Sequence, residues 1–112
     1  METITTDADF KKLLTMDKAL VFIFFEWSGQ AHFSKKVLID WKRKSKFNIP
    51  LFELLPDELE LVSKWVREEV KERGGYGSLS WIKDGRVLEV EFNVGNCSSS
   101  EIESKTSELF GS

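Results

Sequence analysis

The run Ala19-Leu20-Val21-Phe22-Ile23-Phe24-Phe25 carries no polar side chain on either face. An extended segment sends alternate side chains to opposite faces, so such a run is stable only where both faces are covered. It therefore reads as a central parallel strand. It is far shorter than the roughly 20 residues of a membrane-spanning helix. A chain built around it must lay helices on both sides of a sheet, which is the α/β class. Directly after the run come Glu26-Trp27-Ser28-Gly29-Gln30-Ala31. Phe33, Val37, Leu38 and Trp41 then recur at three- and four-residue steps, so the strand turns straight into a helix.

The remaining elements follow from periodicity. Thr6 or Asp7 can cap a first helix with Phe10, Leu13 and Leu14 inward. A short strand from Leu51 to Leu54 begins after Pro50, and a fifth one is expected from Glu2 to Thr5. Pro56-Asp57 opens a third helix with Leu59, Val62, Trp65, Val66 and Val70 inward, stopped by Gly74-Gly75. Trp41 and Trp65 are expected to be largely buried. Strands Ser78 to Ile82 and Val87 to Phe92 flank Lys83-Asp84-Gly85-Arg86, where Asp-Gly signals a type I′ hairpin turn. Leu88, Val90 and Phe92 alternate with Glu89 and Glu91, which gives the last strand one wet face. Ser98-Ser99-Ser100-Glu101 is a capping box for a final helix carrying Ile102, Leu109 and Phe110. A single domain, residues 1–112, is expected.

Charge and cysteine usage narrow the functional classes. The net charge is −3, which makes no electrostatic case for a nucleic-acid partner. The basic run Lys42-Arg43-Lys44 with Lys46 reads as a solvated helix end that complements the helix dipole. No signal peptide is read at the start, since Asp7 and Asp9 precede the first apolar run. No membrane partner is expected. Cys97 is the only cysteine, so no intrachain disulfide can form, and a cytoplasmic location is expected. One His and one Cys without a spacing pattern give no metal site, and no cofactor is expected.

The Trp27-Ser28-Gly29-Gln30-Ala31 turn resembles the W-C-G-P-C active-site turn of thioredoxins. Trp81-Ile82-Lys83-Asp84-Gly85 with Val87 resembles the family's F-K-N-G hairpin, and Val94-Gly95 its V-G after the last strand. The likeness runs from about Asp7 to Phe110. It implies a thioredoxin-like α/β fold: a central mixed sheet of four to five strands flanked by helices. It also shows what is missing. Ser28 and Ala31 stand where the family has its two cysteines. Phe22 stands where it has a buried Asp that moves protons for them. Gly77, within Gly74-Gly75-Tyr76-Gly77, stands where it has a cis-proline. Ser28 reads as the N-cap of the second helix. A Ser28–His32 hydrolase lacks a third member, and His32 reads as an ordinary first-turn residue.

What the resemblance leaves is a surface. In thioredoxins the active-site turn, the cis-proline loop and the V-G segment dock peptides. The corresponding residues are Trp27, Ser28, Gly29, Gln30, Ala31, Tyr76, Gly77, Val94 and Gly95. The leading expectation is a redox-inactive thioredoxin-like module that binds a protein or peptide there. Trp27 should be partly exposed and Tyr76 should approach it, with no charged side chain at the centre and Glu26 and His32 at the rim. The alternative is a monothiol redox enzyme or sensor acting through Cys97, whose place before a helix N-terminus would acidify its thiol. A scaffold with another contact face is the third reading.

Overall fold

The computed structural model describes residues 1–111. Ser112, the last residue of the expected domain, lies outside the described residues. Strand β2 (Lys18–Ile23) is the middle of a sheet ordered β1-β3-β2-β4-β5. The other strands are β1 (Glu2–Thr3), β3 (Leu51–Leu54), β4 (Ser78–Lys83) and β5 (Arg86–Glu91). β2 runs parallel to β3 and antiparallel to β4, and β1 adds to the far side of β3 in parallel. The sheet is mixed and five-stranded with β2 at its centre, and β2, read as a parallel strand, is parallel to β3 alone and antiparallel to β4.

Its two faces feed two cores. Leu20 and Phe22 of β2 meet Ala31, Leu38 and Trp41 of helix α2 (Gly29–Lys44) and Ile102 and Phe110 of helix α4 (Ser99–Phe110). Ala19, Val21 and Ile23 meet Phe10 and Leu13 of helix α1 (Asp7–Leu13) and Val62 of helix α3 (Glu60–Trp65). A π-helical turn, Val66–Val70, extends α3 and adds Val66 and Val70 to that core. A buried indole needs an acceptor for its N–H. Trp41 donates to Glu103 Oε1 at 2.9 Å, and Trp81 donates to Thr106 Oγ1 at 3.0 Å, so both rings tie into α4.

The predicted caps hold. Thr6 caps α1, and Ser98 with Glu101 forms the capping box of α4. Asp84 and Gly85 both have positive φ, as a type I′ turn requires.

Four expectations need correction. Helix α3 starts at Glu60, not at Pro56-Asp57, because Pro56–Glu58 form a turn and Leu59 is extended. Asp57 lies in that turn and accepts a hydrogen bond from the Trp27 indole. Trp65 is half-buried rather than buried, its ring meeting Phe10 edge-on at 5.5 Å. Phe33 is exposed, on the first turn of α2. The alternation in β5 is broken by a register shift against Trp81/Ile82: Val87 pairs with Ile82, whereas Glu89 pairs with Trp81. The extra residue leaves Leu88 exposed, and Phe92 lies exposed beyond the strand end.

Candidate functional site at the carboxyl end of β2

Beyond β2 the chain turns through Glu26-Trp27 into α2. Ser28 is the N-cap: its backbone is extended, and its Oγ accepts the Ala31 N–H at 3.1 Å. The residue is 8% exposed, so its hydroxyl is both buried and occupied. His32 points away from it. Its Nε2–H donates to the Glu26 carbonyl at 2.9 Å, and its ring meets Phe24 edge-on. The two side chains do not form a nucleophile–base pair. Ala31 is fully buried, Gly29 is exposed and Gln30 is half-buried.

Trp27 is the most exposed aromatic residue here, at 69%. Exposure does not leave it loose. Its Nε1–H donates to Asp57 Oδ2 at 3.1 Å, and its ring lies 5.2 Å from that of Phe25. Gly75 closes in underneath: a Cβ there would come within 2.6 Å of the indole Cη2. The glycine loop thus reaches Trp27 through Gly75 and not, as expected, through Tyr76. Tyr76 is 46% exposed and folds its ring over Gly74. Asp57 also replaces the uncharged centre expected for this patch, because its carboxylate holds the indole itself.

A hydroxyl that the sequence did not single out braces the three loops. Ser34, fully buried on α2, donates its Oγ–H to the Tyr76 carbonyl at 2.6 Å and accepts the Gly95 N–H at 3.1 Å. Gln30 reaches the same region, donating from Nε2 to Asn93 Oδ1 at 3.3 Å. Val94 is fully buried and its N–H donates to the Gly77 carbonyl at 3.1 Å. Gly77 has φ +93°, and a Cβ there would lie 2.7 Å from Ser34 Cβ and 3.1 Å from the Phe22 ring. The loop against Ser34 and Phe22 is therefore built on a glycine whose replacement by any larger residue is strained, with every described peptide bond trans. Of the expected surface residues, Trp27, Gly29 and Tyr76 are exposed and Gln30 and Gly95 half-buried, whereas Ser28, Ala31, Gly77 and Val94 are buried and form the frame beneath, with Ser34. A serine on a helix face ordinarily reads as solvated, so only the long-range contacts of Ser34 identify it.

Two carboxylates sit where the sequence pattern did not lead. Glu53 of β3 is 4% exposed and pairs in register with Phe22. Lys35 Nζ approaches its Oε2 at 2.7 Å, and Thr3 donates Oγ1–H to its Oε1 at 2.9 Å. Glu72 precedes the glycine loop. Its oxygens are closed off from solvent and lack a well-formed hydrogen bond. Burial raises its pKa, and the Ser78 hydroxyl and Gly75 amide beside it offset only part of that.

Cys97 follows the 3-10 turn Val94–Asn96 and is half-buried against the α2–α4 core. Burial, then the charges of Glu91 and Glu101, push its thiol up to about 11. This is opposite to the acidification that the neighbouring helix N-terminus suggested. Among the described residues, no group of three or more His, Cys, Asp or Glu side chains could hold a metal ion. No helix among them is long and apolar enough to cross a membrane.

No family model and no curated protein matches the chain in sequence. Solved structures do match it. Oxidised thioredoxin from Plasmodium falciparum superposes with a TM-score of 0.73 over 100% of this chain and 99% of its own, at 14% identity. Mitochondrial thioredoxin 3 from Saccharomyces cerevisiae, also oxidised, gives 0.73 over 97% and 95%, at 16% identity. Fasciola hepatica thioredoxin gives 0.70 over 96% and 98%, at 17% identity. With the sheet order and the strand–turn–helix geometry around Ser28, these likenesses show that the chain has the thioredoxin fold, carried by a sequence with one cysteine and no C-x-x-C motif.

Proposed function

We propose that this protein is a thioredoxin-like binding module that docks a protein or peptide on the surface around Trp27 and carries out no dithiol–disulfide exchange. The observation that carries this reading is the presentation of Trp27. A large aromatic ring is held in solvent by Asp57, Phe25 and Gly75, on a frame braced by Ser34. Rigid exposed aromatics are typical anchors of binding surfaces, and they lose little entropy when covered. Ser28 and Ala31 supply no thiol, and the Ser28 hydroxyl is engaged as a helix cap. The alternative, a monothiol centre at Cys97, has less support, because a thiol pushed up to about 11 holds almost no thiolate near neutrality. A lone cysteine also suits a reducing compartment such as the cytoplasm.

Selection from a random peptide library tests the reading. The wild type should enrich peptides that a Trp27→Ala, Tyr76→Ala variant does not bind, while circular dichroism and the melting temperature of the variant stay close to wild type. Unfolding of the double variant would place both rings in the core. Unchanged binding of the selected peptides would put the contact face elsewhere.

A further inference from the structure

The rim of this surface is chemically one-sided. Beside Trp27 lies a small cleft of about 50 Å³ lined by Phe24, Leu55, Glu26, Asp57 and Glu58. Its apolar lining comes from Phe24, the first residue after β2, and Leu55, the first residue after β3. Its polar lining consists of three carboxylates and no cation. None of the three is in an ion pair among the described residues. The neighbouring cation, Lys35, faces the Phe24 ring at 4.7 Å and is neutralised by Glu53. His32 bonds the backbone carbonyl of Glu26 and leaves its carboxylate unpartnered.

Burying an apolar partner over Trp27 would bring uncompensated charge close to a drying interface. That is unfavourable unless the partner supplies the opposite sign. The carboxylates do not converge as metal ligands do. The cleft holds only the end of a long side chain, its last methylenes against Phe24 and Leu55 and its head among the carboxylates. A guanidinium or ammonium on a methylene chain matches both properties, since such side chains lay their stems along apolar surface and keep the head in a polar setting.

We infer that the segment docked on this surface carries a basic side chain, arginine above all, next to apolar residues, with the cation held between Glu26, Asp57 and Glu58 and the stem over Phe24 and Leu55. This inference rests on the docking reading proposed above and names its partner class. A strongly acidic segment would be excluded by the same rim.

Otherwise identical short synthetic peptides of Val, Phe, Ser and Gly, with a central Arg, Gln or Glu, provide the probe. Fluorescence anisotropy should show the Arg peptide binding at least about tenfold tighter than the Gln peptide, with the Glu peptide weakest, and the gap should narrow in about 0.5 M salt. The variant Glu26→Gln, Glu58→Gln leaves Asp57 in place to hold the Trp27 indole. It should bind the Gln peptide as the wild type does and lose most of the preference for Arg. Equal binding of all three peptides to the wild type, sensitive to Trp27→Ala, would overturn the charge inference and leave the docking reading intact. Peptide binding that ignores Trp27→Ala and Tyr76→Ala, or no binding of any peptide, would remove the docking reading and this inference together.

Discussion

Ser28 acts through its side-chain oxygen, as the cap of α2. It stands at the head of α2, where a helix N-terminus would acidify a thiol. As serine it supplies the hydroxyl acceptor that the helix needs. Ser28→Ala should therefore cost about 1 kcal/mol in urea unfolding, and Ser28→Asp should cost less because it keeps a capping oxygen. Equal losses in both variants would mean that the packing of this buried residue, not its cap, is what matters. The cap was legible because a serine just before a helical apolar period is a local signal. Ser34 and Asp57 were not, because their partners lie 42 and 30 residues away in the chain. The exposure of Trp27 was legible from the place of the turn, but the ring beneath it and its acceptor were not.

At the scale of elements, β2 was the easiest to read, because a run that is apolar on both faces has only one place in a sheet. β5 was misread because a bulge shifts the phase of an alternation without leaving a mark in residue type. In the sequence, the loop between the π-helical turn and β4 shows a helix stop and the Tyr76-Gly77 surface segment, but not its backbone or its inward carboxylate. It holds Lys71 at φ 58° and three glycines at positive φ, and it folds Glu72 inward. This has a pH consequence. The pKa of Glu72 in the folded protein is raised above the ordinary 4.5, burial being the first cause. The folded state thus binds a proton more tightly than the unfolded chain, and this site's contribution to stability is best in acid. It falls as pH rises from about 4.5 through the folded-state value, and stays low above it. Glu72→Gln should leave the melting temperature near wild type at pH 4 and raise it at pH 7. Asp40 and Glu101, whose pKa values are lowered, work in the opposite direction in both proteins, so the difference between the two profiles isolates Glu72. A Gln variant less stable than wild type at pH 7 would show that the carboxylate has a favourable partner when ionised.

The whole molecule has the thioredoxin fold, and the residues around Ser28 and Ala31 pack without the groups that the resemblance to thioredoxins would place there. Phe22 packs where the family's proton-moving carboxylate would stand, and the buried carboxylate here belongs to the next strand, at Glu53, where Lys35 neutralises it. An aspartate at Phe22 would lie in the apolar α2–α4 core and cost several kcal/mol unless protonated or paired. Gly77, at φ +93° against Phe22 and Ser34, sets a loop geometry that a proline cannot adopt, since proline holds φ near −65°. On the function proposed above, the packing at Phe22 and Gly77 as well as the two positions Ser28 and Ala31 differ from what dithiol exchange would use. In the dithiothreitol-driven reduction of insulin, the wild type should match the no-protein control. A Ser28→Cys, Ala31→Cys variant regains a thiol at a helix N-terminus, but it has no group to take the proton of the second thiol. General acid–base assistance contributes about 10²- to 10⁴-fold in such steps, so the variant should reach no more than about a hundredth of an ordinary thioredoxin's rate. Adding Phe22→Asp should raise that rate while lowering the melting temperature, because the new carboxylate is buried without a partner. A dithiol variant as fast as thioredoxin would show that neither Phe22 nor Gly77 limits the chemistry. Wild-type activity that survives Cys97→Ser would show that the fold reduces disulfides by a route these residues do not contain.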